Sequence, residues 1–309
     1  MNRLTLALFL CLSVCASSHA QVKTSRDRIL FYTADWHGER FPDGRPKIPD
    51  SLLTRALDVS LEDVWDFLKG HKYNCQFEAG WQSLHPEKPF AGRALTAQYM
   101  PQRADMLKAI TAEGKTEGRK SGNNSWPINE LVEGDVYVAD GYGKVIDGTL
   151  IGSNLGSGIA AHTRGIGGFV FDAGIRDAEE NREIASLNGI YRAYDPSFIV
   201  DMTLTAINAP IRIGRASVLP GDLVLAKHDG VIFIPAVLAE EAIASAEFTK
   251  LQDTFNFELN KSGKNGAEFE GGWTEAKYKA FVQWIDTHPE KLKMPRSEFD
   301  TMVKDKHRD

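Results

Sequence analysis

The sequence predicts an α/β protein built on a partly parallel sheet, and three observations carry that expectation. Val136-Tyr137-Val138-Ala139 and Gly168-Phe169-Val170-Phe171-Asp172 are short apolar β-type runs, with a glycine-rich turn and a helical stretch from about Asn154 to Thr163 between them. Strand, turn, helix and strand in that order make a crossover unit, which sets the two strands parallel. Three further β-type runs follow at Pro210–Ile213, Leu223–Ala226 and Val231–Pro235, with Pro220-Gly221-Asp222 and His228-Asp229-Gly230 as turns. Finally, 42% hydrophobic and 25% charged residues over 309 positions are globular proportions, not those of a disordered chain, a collagen or a coiled coil.

Taken in order, the chain opens on an export signal. Arg3 precedes an apolar stretch from Leu4 to Ala16, and Ser18-His19-Ala20 supplies a small-residue cleavage site before Gln21. The stretch is too short for a permanent membrane span. Cleavage after Ala20 removes Arg3 and takes the net charge from −6 to −7. Leu12-Ser13-Val14-Cys15 offers an alternative, a lipoprotein box with lipid on Cys15, but Val14 is bulkier than the small residue such a box uses. Cys11 and Cys15 leave with the signal, so Cys75 remains alone and no intrachain disulfide forms. His71 lies four residues before Cys75, yet a lone cysteine is more commonly a packed hydrophobe than a nucleophile.

Residues 22–50, with Pro42, Pro46 and Pro49, read as an extended arm. Ser60-Leu61-Glu62-Asp63 is a capping-box pattern, and Leu61, Val64, Trp65 and Leu68 continue it at helical spacing until Gly70. Lys72–Pro86 reads as a structured loop and 113–126 as a surface loop rich in glycine and asparagine. From Leu238 onward the pattern is helical, with Trp273, Tyr278, Phe281 and Trp284 near the end. The division is therefore a signal (1–20), an N-terminal arm and helical extension (21–87), an α/β core (88–237) and a C-terminal helical extension (238–309).

Several functions are disfavoured at once. Thirty-six basic against 42 acidic residues give no broad basic surface for nucleic acid. The patterns CxxC and HExxH are absent, so a structural zinc site has no support. The richest stretch for chemistry is Gly152-Ser153-Asn154-Leu155-Gly156-Ser157-Gly158 at a helix start, followed by Gly174-Ile175-Arg176-Asp177 after the next strand. Glycines at a helix N-terminus let an anion approach exposed N–H groups, where the helix dipole favours negative charge. The stretch lacks the GK[ST] ending of a P-loop and does not fit GxGxxG. Arg176 and Asp177 follow a strand's C-terminal end, where α/β folds take ligands. An arginine there can grip a carboxylate and an aspartate can hold a hard divalent cation.

These segments carry a resemblance. Gly92-Arg93-Ala94-Leu95-Thr96-Ala97-Gln98-Tyr99-Met100-Pro101, Gly134-Asp135-Val136, Arg164-Gly165-Ile166-Gly167-Gly168, Asp172-Ala173-Gly174-Ile175-Arg176-Asp177 and Pro220-Gly221-Asp222 with Asp229-Gly230-Val231 are similar, in order, to the motifs of the RraA-like family. That family contains the regulator of ribonuclease activity A and the 4-hydroxy-4-methyl-2-oxoglutarate/4-carboxy-4-hydroxy-2-oxoadipate aldolases. The resemblance covers about residues 60–240, and the extensions look like a longer, exported branch. It implies a three-layer β/β/α swivelling-type core assembled as a homotrimer or a pair of trimers. It also implies a class II lyase, an aldolase or decarboxylase that cleaves a pyruvate-containing oxo acid through a metal-stabilised enolate with Mg²⁺ or Mn²⁺. By motif position, Asp177 is the expected metal ligand, Arg176 the grip on substrate oxygens, and the backbone N–H groups of Asn154, Leu155 and Gly156 the seat of the substrate carboxylate.

The sequence departs from the family pattern in one respect. The active aldolases have an aspartate after the first glycine and twenty residues before Arg-Asp. Here Ser153 follows Gly152, residues 154–175 precede Arg176, and Asp147 is the candidate replacement. The family also uses a glutamate from a neighbouring subunit, and no motif position matches it here. A non-catalytic oligomer that binds a small acid or a metal is therefore the alternative. Ribonuclease regulation conflicts with the export signal. His162, His228, Asp195-Pro196-Ser197 and Glu179-Glu180 read as packing, turn, cap and solvated-face residues first.

Overall fold

The apolar runs of the middle segment become neighbouring strands of a nine-stranded sheet. The computed structural model describes residues 22–120, 122–263 and 272–306. The expected signal at 1–20, with Cys11 and Cys15, lies outside the described residues. Four strands run parallel side by side: β3 (Phe90–Pro101), β4 (Asp135–Thr149), β5 (Gly168–Ile175) and β6 (Gly189–Tyr194). The crossovers between them carry α4 (Ala104–Thr116), α5 (Ser153–Thr163) and α6 (Ala178–Glu183). Antiparallel strands flank this centre. β10 (Leu223–Lys227) pairs with β3 and with β11 (Gly230–Ile234), and β7 (Met202–Ile207) pairs with the far end of β3. The order is β1-β11-β10-β3-β4-β5-β6-β2, where β1 (Phe77–Glu78) and β2 (Gln82–Ser83) are two-residue edge strands.

Alternation along the strands builds two faces. Tyr137, Ala139, Phe169 and Phe171 point to one side and pack with Ile159 and Ala160 of α5 and Ile110 of α4. Val136, Val138 and Val170 point to the other and pack against Ile211, Ile213, Ala216 and Val218 of the hairpin β8 (Ile211–Ile213) and β9 (Ala216–Val218). Hairpin, sheet and helices are the three layers, and burial on both faces explains why these strands read as continuous apolar runs. A third cluster sets α2 (Asp50–Ala56), α3 (Leu61–Gly70) and the first half of α7 (Ala239–Ser262) over β10 and β11. A fourth joins the rest of α7 to α8 (Glu275–Thr287) and α9 (Arg296–Lys306) through Phe255, Phe281, Ile285 and Phe299. Among the described residues, no helix is long and apolar enough to cross a membrane.

Three local expectations change. The arm at 22–50 contains α1 (Arg26–Tyr32), capped by Ser25, whose hydroxyl accepts from the Arg28 N–H. A single buried residue, Ile29, anchors it, too little for a visible periodicity. The loop at Lys72–Pro86 supplies β1 and β2, which close opposite edges of the sheet by main-chain pairing that two residues cannot announce in sequence. Within 113–126, α4 runs through Gly114, where any Cβ would strike the Trp126 ring at 2.2 Å. That glycine marks close packing of a helix on a ring, not a turn. Elsewhere the reading holds: Ser60 caps α3 by accepting from the Asp63 N–H at 3.0 Å, and His228-Asp229-Gly230 turns β10 into β11.

The N-terminal extension is tied to the start of the parallel strands by buried charge. Arg45 Nη1 and Nη2 donate to Asp135 Oδ1 and Oδ2 at 3.1 and 3.0 Å, and the two side chains are only 1% and 0% exposed. Arg45 Nε donates to Asp43 as well, so two carboxylates keep the buried guanidinium charged. Arg93 reaches out from β3 to Asp50 and to the carbonyls of Ile48 and Glu133.

Candidate functional site

At the opposite end of the parallel strands, β5 runs straight into Arg176 and Asp177. The Arg176 N–H donates to the Ile151 carbonyl at 3.0 Å, which holds the strand end against the loop before α5. Asp177 then takes a left-handed backbone (φ 54°, ψ 45°) and caps α6. Such a turn is costly for a residue with a Cβ and persists only where its surroundings enforce it. Asn181 does so: its Nδ2 donates to the carbonyls of Arg176 and Asp177 at 3.0 and 2.9 Å, and its own N–H donates to the Asp177 carbonyl. Asn181 is fully buried, and its Oδ1 has no hydrogen-bond partner among the described residues.

The side chains converge on the N-terminus of α5. Asp177 Oδ2 accepts from the Ser153 N–H at 3.1 Å, and Asp177 Oδ1 accepts from Arg176 Nη1 at 3.2 Å. The two side chains are 30% and 34% exposed, open enough to meet a ligand. Gly152 makes the approach possible, because a Cβ there would lie 2.4 Å from Asp177 Oδ2 and 3.0 Å from Arg176 Cζ. The Arg176 guanidinium also lies over the ring of the exposed Phe198, 4.9 Å from its centroid, a cation–π contact. Next to this turn a cavity of about 420 Å³ is bounded by Asp177, Glu179, Glu180, Arg182 and Tyr194.

The structure places Arg176 and Asp177 beside the N-terminus of α5, whose first turn carries Asn154 and Leu155. The N–H groups of Asn154 and Leu155 lie in the first turn of α5 and have no acceptor among the described residues. These are the donors a carboxylate would meet, with the helix dipole behind them. Gly156 departs from expectation: its N–H already donates to the Gly152 carbonyl at 2.9 Å, as the first closed turn requires. Its role is spatial, since a Cβ would sit 2.0 Å from Asn181 Oδ1. Asp147, the candidate replacement for the missing aspartate, bonds Ser197 and Val200 through its backbone N–H and carbonyl and, among the described residues, makes no hydrogen bond or ion pair with Arg176 or Asp177.

The remaining candidates resolve into structural roles. His162 Nδ1 lies 3.2 Å from the Leu131 carbonyl. His71 is held at the end of α3 by the Phe67 carbonyl and stacks on the Phe67 ring, and among the described residues it makes no hydrogen bond to Cys75. The Ser197 N–H donates to Asp195 Oδ1, closing the Asp195-Pro196-Ser197 turn without capping a helix. Sequence reasoning missed Asn181 and Phe198. Asn181 sits four residues after Asp177, one helical turn on, which is a faint signal; nothing in the sequence marks Phe198.

Comparison with known proteins agrees with this architecture. The RraA-like model, described as Aldolase/RraA, matches residues 61–233. A putative 4-hydroxy-4-methyl-2-oxoglutarate aldolase of Halalkalibacterium halodurans is 31% identical over 158 residues, covering 47% of this chain and 68% of the relative. The 4-hydroxy-4-methyl-2-oxoglutarate aldolase of Thermus thermophilus is 27% identical over 146 residues, covering 47% and 76%. Among solved structures, Streptomyces coelicolor RraAS2, described as an unusual member of the RNase ES inhibitor RraA protein family, is similar at a TM-score of 0.57 and 26% identity. That match covers 69% of this chain and 99% of the other. An uncharacterized protein from Pseudomonas syringae shares the fold at a TM-score of 0.58 and 22% identity, covering 73% and 95%. The family match spans more than half of the chain and takes in the helix start and strand end that form the site. The chain belongs to the RraA-like family.

Proposed function

We propose that this protein is an exported, divalent-metal-dependent lyase that cleaves or decarboxylates a pyruvate-containing oxo acid. One observation carries the reading: Asp177, paired with Arg176 at the end of β5, accepts from the Ser153 N–H at the start of α5, whose next two N–H groups have no acceptor among the described residues. The aldolase names of the relatives favour the same reaction class. In this reading the substrate carboxylate sits on the Asn154 and Leu155 N–H groups. Arg176 donates to the substrate's oxo oxygen. As the C–C bond breaks, negative charge gathers on that oxygen in the pyruvate enolate, and a fixed guanidinium stabilises it without needing a Schiff-base lysine.

The residues fit a hard cation of the Mg²⁺ or Mn²⁺ type in a limited way. Asp177 offers a partly exposed carboxylate, and no group of three His, Cys, Asp or Glu surrounds it among the described residues. Such a cation would be held by Asp177, waters and substrate, as Mg²⁺ commonly is. When bound, it supplies Lewis-acid polarisation of the oxo group. The test is pyruvate release from 4-hydroxy-4-methyl-2-oxoglutarate and related oxo acids with Mg²⁺ or Mn²⁺. Wild-type release no higher than that of Arg176→Ala ends the lyase reading.

A specific observation favours a second reading, a non-catalytic oligomer that binds a small acid or metal. Ser153 stands where the family's active aldolases have an aspartate, and among the described residues Asp177 is the one carboxylate paired with Arg176. Binding of pyruvate by calorimetry without turnover would select it. Export predicts a secreted product beginning at Gln21, against lipidation at Cys15, which intact mass distinguishes. Assembly as a homotrimer or a pair of trimers is part of this proposal, and light scattering tests it.

A further inference from the structure

A second cavity, of about 450 Å³, opens at the other end of the sheet, and its size is that of a small-molecule site. Its floor includes Asp222, whose carbonyl accepts from the Ala94 N–H near the start of β3. Arg176 and Asp177 lie past the C-terminal end of β5, which runs in the same direction as β3. Four segments wall the cavity: the turn after α1, residues 72–76 between α3 and β1, residues 217–222 before β10, and Pro235–Val237 after β11. The lyase reading does not use it, although Asp222 of the Pro220-Gly221-Asp222 motif is part of its lining.

Its chemistry is specific. Gln76 is only 7% exposed, and its Nε2 donates to the carbonyls of Ser217 and Phe233 at 3.2 and 2.8 Å. Two carbonyl acceptors fix which end of the amide is nitrogen, so Oε1 is the end left free, and it has no partner among the described residues. This oxygen is not sealed from solvent, so a guest entering the cavity can reach it with an N–H or O–H. Asp222 is 3% exposed, and both its oxygens are taken, one by the Leu219 N–H and one by the Ala236 N–H. Burial favours its neutral, protonated form, so it presents no fixed charge to a guest. Asp35 and Lys72, of opposite sign, complete the charged lining. Trp36, whose indole is anchored to the Glu39 carbonyl at 2.8 Å, and Tyr73 provide flat apolar surface.

We infer that this cavity binds a flat, uncharged aromatic molecule that lies against Trp36 and Tyr73 and donates an N–H or O–H to Gln76 Oε1. The site stands independently of any lyase activity. Cys75 lines the same cavity with an exposed thiol and serves as the reporter.

The test uses the full chain and follows modification of Cys75 by 5,5′-dithiobis(2-nitrobenzoate), with Cys75→Ser assigning the signal against Cys11 and Cys15. Indole is the probe, and 1-methylindole is its donor-free counterpart. Indole should slow Cys75 modification saturably. Protection by 1-methylindole should be weaker by roughly three- to tenfold in concentration, the worth of one hydrogen bond. Tyr73→Ala, at an exposed position with the fold checked by thermal melting, should weaken indole protection about threefold or more. Equal protection by the two probes, no protection by indole up to its solubility, or protection unchanged in Tyr73→Ala would each overturn the inference.

Discussion

Two of the arginine–aspartate pairs among the described residues share their chemistry and do opposite work. Arg45 and Asp135 are 90 residues apart, almost wholly buried, and joined by two parallel hydrogen bonds. Arg176 and Asp177 are adjacent, about a third exposed, and joined by one bond of 3.2 Å. Burial makes the first pair hard to break, since losing one partner strands a charge away from water. Exposure makes the second pair cheap to rearrange, which is what a site that must accept a ligand needs. Identical chemistry thus serves as a clamp at one end of the sheet and as a candidate site at the other.

The largest effect expected is at the clamp. Arg45→Met should cost about 3–5 kcal/mol of stability by leaving Asp135 buried and unpaired. Urea denaturation measures it, and a loss below 1 kcal/mol would show that the pair is not the clamp described.

Asp222 extends the comparison to a buried aspartate with no arginine beside it. Burial pushes its carboxyl up to about 7 against 3.8 for an ordinary one. The folded state therefore holds a proton that the unfolded chain releases. Its contribution to stability is full below pH 3.8 and is lost as the pH rises through about 7. The shift is worth on the order of 4 kcal/mol in total. Asp222→Asn should flatten the fall in urea stability between pH 4 and 7, and an unchanged slope would contradict the assignment.

At the exposed pair the effects move from stability to activity. Arg176→Ala should lower pyruvate release by about 10²–10³-fold, the usual worth of one donor to a developing oxyanion. Its melting should shift by less than about 1 kcal/mol. Equal losses at the two pairs in both assays would erase the distinction between them.

Asn181 should give the smallest effect and the most mixed one. Asn181→Ala removes two hydrogen bonds to the Arg176–Asp177 turn, a loss of about 1–3 kcal/mol in stability. As a positioning residue it should lower kcat more than it raises KM. A stability loss with kcat unchanged would mean that it only packs α6 against α5.

Much of this fold was legible because it rests on local signals. The Ser60 cap, the strand–helix–strand unit around α5 and the β10–β11 turn each depend on residues within one turn or one crossover of each other. The features that were missed rest on distant partners. β1 and β2 are too short to show alternation and exist through pairing with strands more than 100 residues away. At the site, Arg176 and Asp177 were readable as a motif after a strand, and Asn154 and Leu155 as a helix start. That Gly156 contributes space and not a donor depends on where α5 closes its first hydrogen bond, a matter of one residue.

The sequence by itself determined the α/β class, the parallel crossovers and the strand end that carries Arg176 and Asp177, because periodicity, turn chemistry and glycine placement act over a few residues. Only the tertiary structure decided which charges are buried, which N–H groups stay free, and that Asn181 holds the Asp177 turn. These follow from contacts between segments brought together by the sheet, and chain distance carries no trace of them. Arg45 finds Asp135 through folding alone, while Arg176 was beside Asp177 from the start.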